Sequence, residues 1–189
     1  MPNWCNNYIE ITGPAKTVNA LWTAATAEDS GLLNAMVPMP AELSNTVKGS
    51  GDELQTEKYD GYTNWYDWAV DRWGTKWDVD IQGLEYMEED GVVSISGYFE
   101  SAWAPPIDAI RTYASANPNV SITLDYHEPG MAFVGRYIIE DGEEEDESYE
   151  YNETNSKTVR SLIGEDMDDF WSISEDMANW EEEIENENM

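Results

Sequence analysis

The chain has 189 residues, enough for one ordinary domain with additions, and its 41% hydrophobic and 12% aromatic content is too apolar for a disordered polymer. Forty Asp and Glu against nine Lys and Arg give a formal net charge of −31, a field that repels nucleic acid and anionic lipid and attracts basic surfaces. No apolar run approaches the roughly 20 residues that span a bilayer, and no basic segment followed by an apolar one opens the sequence, so a cytoplasmic protein is expected.

Residues 4–12 set Ile9 and Ile11 against Tyr8, Glu10 and Thr12 and stop at Gly13-Pro14, which predicts a strand. Residues 14–28 carry Val18, Leu21, Trp22 and Ala25 at helical spacing. Val37-Pro38-Met39-Pro40 breaks regular structure, and residues 44–60 read as a polar, exposed loop. Trp65, Trp68, Ala69 and Arg72 return to helical spacing, with Gly74 as C-cap. This Trp-rich stretch is expected to form a small core under an insertion at about 41–76, with Lys76 between Trp73 and Trp77 making a cation–π contact. Residues 79–87 and 92–100 predict two strands joined across Glu88-Glu89-Asp90-Gly91. A helix is expected from Trp103-Ala104-Pro105-Pro106 to about Ala116, ended by Asn117-Pro118. Residues 120–126 and 131–139 then predict a hairpin across Glu128-Pro129-Gly130. Two βαβ-type halves in this order indicate an α+β fold, a ferredoxin-like sandwich over residues 1–140 with a mainly antiparallel sheet and helices on one face.

After residue 140 the character changes to an acidic C-terminal extension, 141–189. Residues 140–189 hold 20 acidic and two basic side chains. The run Glu143, Glu144, Glu145, Asp146, Glu147 reads as a solvated loop or an acidic extension of the last hairpin. A short helix is expected up to Gly164, and Ser172-Ile173-Ser174-Glu175 resembles a capping box opening a last helix. On that helix Ile173, Met177, Trp180 and Ile184 form an apolar docking stripe, while acidic residues occupy the rest of the circumference.

Four segments carry a resemblance. Met1-Pro2-Asn3-Trp4-Cys5-Asn6-Asn7, Trp73-Gly74-Thr75-Lys76-Trp77-Asp78, Ala102-Trp103-Ala104-Pro105-Pro106 and Tyr126-His127-Glu128-Pro129-Gly130 resemble, in order over about residues 1–140, the YubB-type ferredoxin-like family of phage and plasmid proteins. Arg72 stands where that family more commonly has Asn before its Trp-Gly-Thr-Lys-Trp motif. The resemblance implies the fold and a mobile-element setting in a bacterial host cell, and no activity.

Catalytic and cofactor signals are weak. His127 and Cys5 each stand alone in the composition, and a thiolate needs an electropositive setting that this charge does not offer. Neither Asp166-Met167-Asp168-Asp169 nor the Glu143 run matches a calcium loop, and no phosphate-cradling Gly motif occurs. No enzyme activity, metal or cofactor is therefore expected. Two binding roles fit. In the first, Glu143, Glu144, Glu145, Asp146, Glu147, Asp166, Asp168, Asp169, Glu181, Glu182 and Glu183 present carboxylates to the basic surface of a host DNA-binding enzyme (restriction, CRISPR or repair nuclease) as a DNA mimic that binds neither nucleic acid nor membrane. In the second, the stripe docks on a partner protein or a second copy as a homodimer, and the acidity serves solubility or salt tolerance.

Overall fold

The computed structural model describes residues 3–49 and 59–187. Chain order within them is β1 (Trp4–Pro14), α1 (Ala15–Ala25), α2 (Leu32–Met36), α3 (Ala41–Ser44), α4 (Trp65–Trp73), β2 (Leu84–Glu89), β3 (Val92–Ala102), α5 (Ile107–Ala116), β4 (Ser121–Glu128), β5 (Phe133–Glu140), β6 (Glu143–Glu150), α6 (Val159–Ile163), α7 (Glu165–Trp171) and α8 (Ile173–Glu187). Most of the loop expected over 44–60 lies outside the described residues, as do Met1 and Pro2 of the first motif.

The strands form one sheet in the order β2-β3-β1-β4-β5-β6, every neighbouring pair antiparallel. β1 and β2 therefore run parallel on either side of β3, as β3 and β4 do on either side of β1. Each such pair is linked through helices, α1 onward for the first and α5 for the second. That is the ferredoxin-like arrangement of two interlocked βαβ units. β5 and β6 extend it by two strands at the β4 edge, so residue 140 falls within a hairpin and the sheet continues beyond it.

Alternation along each strand divides the side chains between two faces. Cys5, Ile9 and Ile11 of β1, Val93 and Ile95 of β3, Ile122, Leu124 and Tyr126 of β4 and Tyr137 and Ile139 of β5 point to one face, where Val18, Leu21, Leu33, Trp68, Trp73 and Ile110 from the helices complete the main core. Burying each such side chain contributes about 1.5–3 kcal/mol before chain entropy is subtracted. Asn7, fully buried in β1 of this layer, is satisfied by donating to Cys5 O at 2.8 Å and Ser101 Oγ at 2.9 Å.

The other face is covered in part by the C-terminal segment. Val134, Tyr151, Val159, Ile163, Met167 and Ile173 form a second, smaller cluster. Phe170 of α7 sits on the cross-strand pair Tyr8–Tyr98, its ring centroid 5.6 Å from Tyr8 and 6.3 Å from Tyr98. Trp171 packs on His127 at 5.7 Å.

Local chemistry explains most boundaries. Asn64 caps α4 by accepting from Asp67 N at 2.9 Å, and Gly74 ends the helix at φ 81°. The β2–β3 turn places Asp90 and Gly91 at φ 51° and 81°, the backbone that a two-residue hairpin with right-handed twist requires. The expected strand over 79–87 is shorter at its start. Gly83 and Gly97 bring the β2 and β3 backbones so close that a Cβ on Gly97 would lie 2.1 Å from Gly83 O, and regular pairing begins only at Leu84. α2, α3 and α7 come as additions to the expected elements, and the helix expected from Trp103 begins only after Pro105-Pro106, at Ile107.

Candidate functional site

β6 carries six carboxylates in eight residues and forms the outer edge of the sheet. Such a sequence has little strand preference of its own; pairing with Phe133–Glu140 of β5 holds it extended. At about 3.4 Å per residue the strand spans roughly 27 Å, one carboxylate per ~4.5 Å, near the ~3.4 Å axial spacing of phosphates along one DNA strand. An edge strand so charged also resists pairing with strands of other chains.

The pleat sorts these charges. Glu144 and Asp146 lie on the α5 side, where Glu144 accepts from Arg111 Nε at 2.8 Å and from the Tyr137 hydroxyl at 2.7 Å, and Asp146 accepts from Tyr126 at 3.1 Å. Arg111 first, then Tyr137, holds the Glu144 carboxyl below its ordinary range. Glu143, Glu145 and Glu147 point to the other side, exposed, with Glu147 accepting from Tyr149. A hollow of about 400 Å³ joins that side to α7, lined by Arg136, Glu147, Tyr149, Glu165 and Asp166 among others. The acidic strand thus runs on into the acidic start of α7.

In the C-terminal segment the expected residues divide. Asp166 is exposed and Asp169 pairs with Arg160 at 2.5 Å. Asp168 is a correction: it is 2% exposed and does not belong to the binding surface. It accepts from Arg160 Nη1 at 2.8 Å, Ser174 N at 2.7 Å and Ser174 Oγ at 2.7 Å. Burial pushes its pKa up, but the hydrogen bonds from Ser174 and Arg160 outweigh it and the net shift is downward. Asp168 therefore caps α8, and the expected capping box is replaced: Ser172 instead takes the left-handed turn between α7 and α8, at φ 57°. Glu181 is half-buried and accepts from Ser156 N at 2.9 Å and Oγ at 2.7 Å, which lowers its pKa, while Glu182 and Glu183 are exposed.

The apolar stripe divides as well. Ile173 is buried and Met177 half-buried in the second core, so the first half docks within the chain. Trp180, 63% exposed, and Ile184, 38%, extend beyond that contact.

Cys5 and His127 sit on neighbouring strands but face opposite sides of the sheet. Burial pushes the Cys5 thiol up to about 12, and burial pushes His127 down to about 4, leaving a neutral imidazole with Nε2 2.6 Å from the Tyr151 hydroxyl. A thiolate–imidazole couple cannot form from this pair. Among the described residues no group of three or more His, Cys, Asp and Glu side chains could hold a metal ion, and no helix is long and apolar enough to cross a membrane.

The four sequence motifs converge at one end of the sheet. Trp103 N donates to Asn3 O at 2.9 Å, Thr75 Oγ1 donates to Ala102 O at 2.9 Å, and Asn3 lies against Gly130. Asp78 accepts from Leu33 N at 2.8 Å and Asn34 N at 3.2 Å, fixing the start of α2. Trp73 is buried, as expected of a Trp-rich core, and its Nε1 donates to Val37 O at 2.9 Å. Trp77, expected with the Trp-rich stretch to form a core, instead faces solvent beside Lys76, together with Trp4 and Trp103 from two of the other motifs.

A ferredoxin-like sheet extended by an acidic edge strand and covered in part by C-terminal helices defines an α+β protein. The chain belongs to the family of Api92-like proteins: the family model described as the ferredoxin-like domain in Api92-like protein matches residues 76–175, across the β5–β6 hairpin and into α8. Among solved structures, the crystal structure of a protein api92 from Yersinia pseudotuberculosis is similar over 80% of this chain and 99% of its own, at 12% identity and a TM-score of 0.44. No curated protein matches the chain.

Proposed function

We propose that this protein is a non-enzymatic binding protein whose acidic surface occupies the nucleic-acid site of a basic host protein. The observation that carries the reading is β6: six carboxylates in eight residues, held in strand register by β5 and continuous with the exposed acids of α7. Because the charges are ordered before binding, little conformational freedom is lost in presenting them, unlike the case of an acidic tail. The net charge of −31 adds long-range attraction towards a cationic channel. The motif resemblance to YubB-type proteins of phages and plasmids supports a bacterial host cell as the setting and a restriction, CRISPR or repair nuclease as the class of target. Guarding a sheet edge against other chains needs only a few charges; six carboxylates in eight residues, continuous with the exposed acids of α7, exceed that need.

The test is affinity capture from bacterial lysate on the full chain, at low and high salt, alongside a variant with Glu143, Glu145 and Glu147 changed to Gln. The reading expects a nucleic-acid-binding protein that is captured at low salt, released at high salt and lost with the variant. Capture indifferent to both salt and the three substitutions overturns it.

A further inference from the structure

A second surface on this molecule has the opposite character. At the end of the sheet where the motifs meet, Trp4 (44%), Trp77 (38%) and Trp103 (39%) are all exposed, with Trp4 and Trp77 ring centroids 6.0 Å apart. Lys76 lies among them, its Nζ 4.1 Å from the Trp77 ring centroid, 5.4 Å from Trp103 and 5.8 Å from Tyr66. None of the ion pairs among the described residues includes Lys76. In a chain with 40 carboxylates, this ammonium rests on aromatic faces instead. Trp103 is held there at φ 72°, a left-handed backbone that a bulky side chain rarely adopts, fixed by its N–H on Asn3 O. Exposed indoles around one cation suit a partner that is apolar at its centre and anionic at its rim. They do not suit the basic partner of the acidic strand, which Lys76 would repel.

This chain carries a segment of that chemistry. Trp180 of α8 is 63% exposed, and among the described residues it makes no ring contact. One helical turn further on stands the exposed Glu183, with Glu182 beside it. We propose that the Trp4–Trp77–Trp103 surface receives α8 of a second copy, Trp180 lying against the indoles and Glu183 against the Lys76 ammonium. The contact is independent of the acidic-strand reading and has the reverse salt response. Two copies of net charge −31 repel at long range, so screening that repulsion strengthens an association whose centre is apolar.

Sedimentation of the full chain over a concentration series, at low and high salt, tests it. Wild type is expected to be monomeric at low salt and to associate reversibly at high salt. Trp180→Ala and Trp103→Ala should each weaken association about 30-fold or more, the size of a central aromatic anchor. An equimolar mixture of these two variants should associate again, because each supplies the half the other lacks; that recovery also shows that both are folded. Lys76→Glu should abolish association, and Glu183→Lys in the same chain should restore it. Wild type that stays monomeric at high salt overturns the proposal. So does a mixture that stays monomeric, or a charge reversal at Glu183 that recovers nothing.

Discussion

Acidification should loosen the docked C-terminal segment through one side chain, His127. It is 7% exposed, packs on Trp171 and meets the Tyr151 hydroxyl, so its imidazolium would be desolvated; Asp176 is the charge that opposes this, and burial prevails. With a folded pKa of about 4 against an ordinary value near 6.5, imidazole is neutral in both states above pH 6.5 and contributes nothing to pH dependence there. As pH falls from 6.5 towards 4 the unfolded chain binds a proton that the folded chain does not, and stability is lost across that window. The full separation corresponds to about 3 kcal/mol, and at pH 5 the loss is about 2 kcal/mol. Carboxylates titrate in the same range, so the quantity to measure is a difference between proteins. His127→Gln keeps a polar partner for Tyr151 and does not titrate. Urea unfolding of both proteins at pH 7.5 and pH 5 should show wild type losing about 2 kcal/mol more than the variant. Equal losses would refute the assignment of a buried neutral imidazole.

Asp168→Ala removes the cap of α8 and leaves Arg160 and Ser174 without their shared acceptor. It should cost about 2–3 kcal/mol and raise amide exchange in α8 while the β1–β3 amides stay protected, which hydrogen-exchange mass spectrometry reads directly. The Cys5 thiol, fully buried with its pKa pushed up to about 12, should resist alkylation at pH 8 in the native protein and react at the ordinary rate in denaturant. Gly97→Ala drives a Cβ into Gly83 O at a backbone φ of 145°, and should destabilise by about 3 kcal/mol or more in thermal unfolding.

The parts of the fold that could be read in the sequence are those whose signals are local. Ile9 and Ile11 in β1, the Val18–Leu21–Ala25 face of α1, Asn64 and Gly74 at the ends of α4 and Asp90-Gly91 in the hairpin each announce their own geometry, and the ferredoxin-like order follows from their sequence. β6 was legible only as one of two alternatives, a solvated loop or an acidic extension of the last hairpin, because its six carboxylates oppose strand preference; its pairing with β5 decides for the extension. α7 was hidden for a similar reason. Met167, Phe170 and Trp171 do stand at helical spacing, but seven residues, four of them acidic, are too short a window for that period to stand out, and Phe170 finds its place on Tyr8 and Tyr98, more than 70 residues earlier. Asp168 looked like one more surface acid because the residues that bury it, Arg160 and Ser174, announce nothing at sequence level. Of the candidate site, the location of the charge was legible; which carboxylates stay exposed depended on pleat direction and on partners such as Arg111 and Ser156.

The central claim is that the β6–α7 surface stands where a nucleic acid would stand on a basic partner. The most direct measurement is competition: the captured partner is titrated with duplex DNA while bound to this protein, at several salt concentrations. The account predicts mutually exclusive binding, with displacement by DNA and an affinity for this protein that falls steeply as salt rises. A ternary complex, in which the partner holds DNA and this protein together with undiminished affinity, would contradict it.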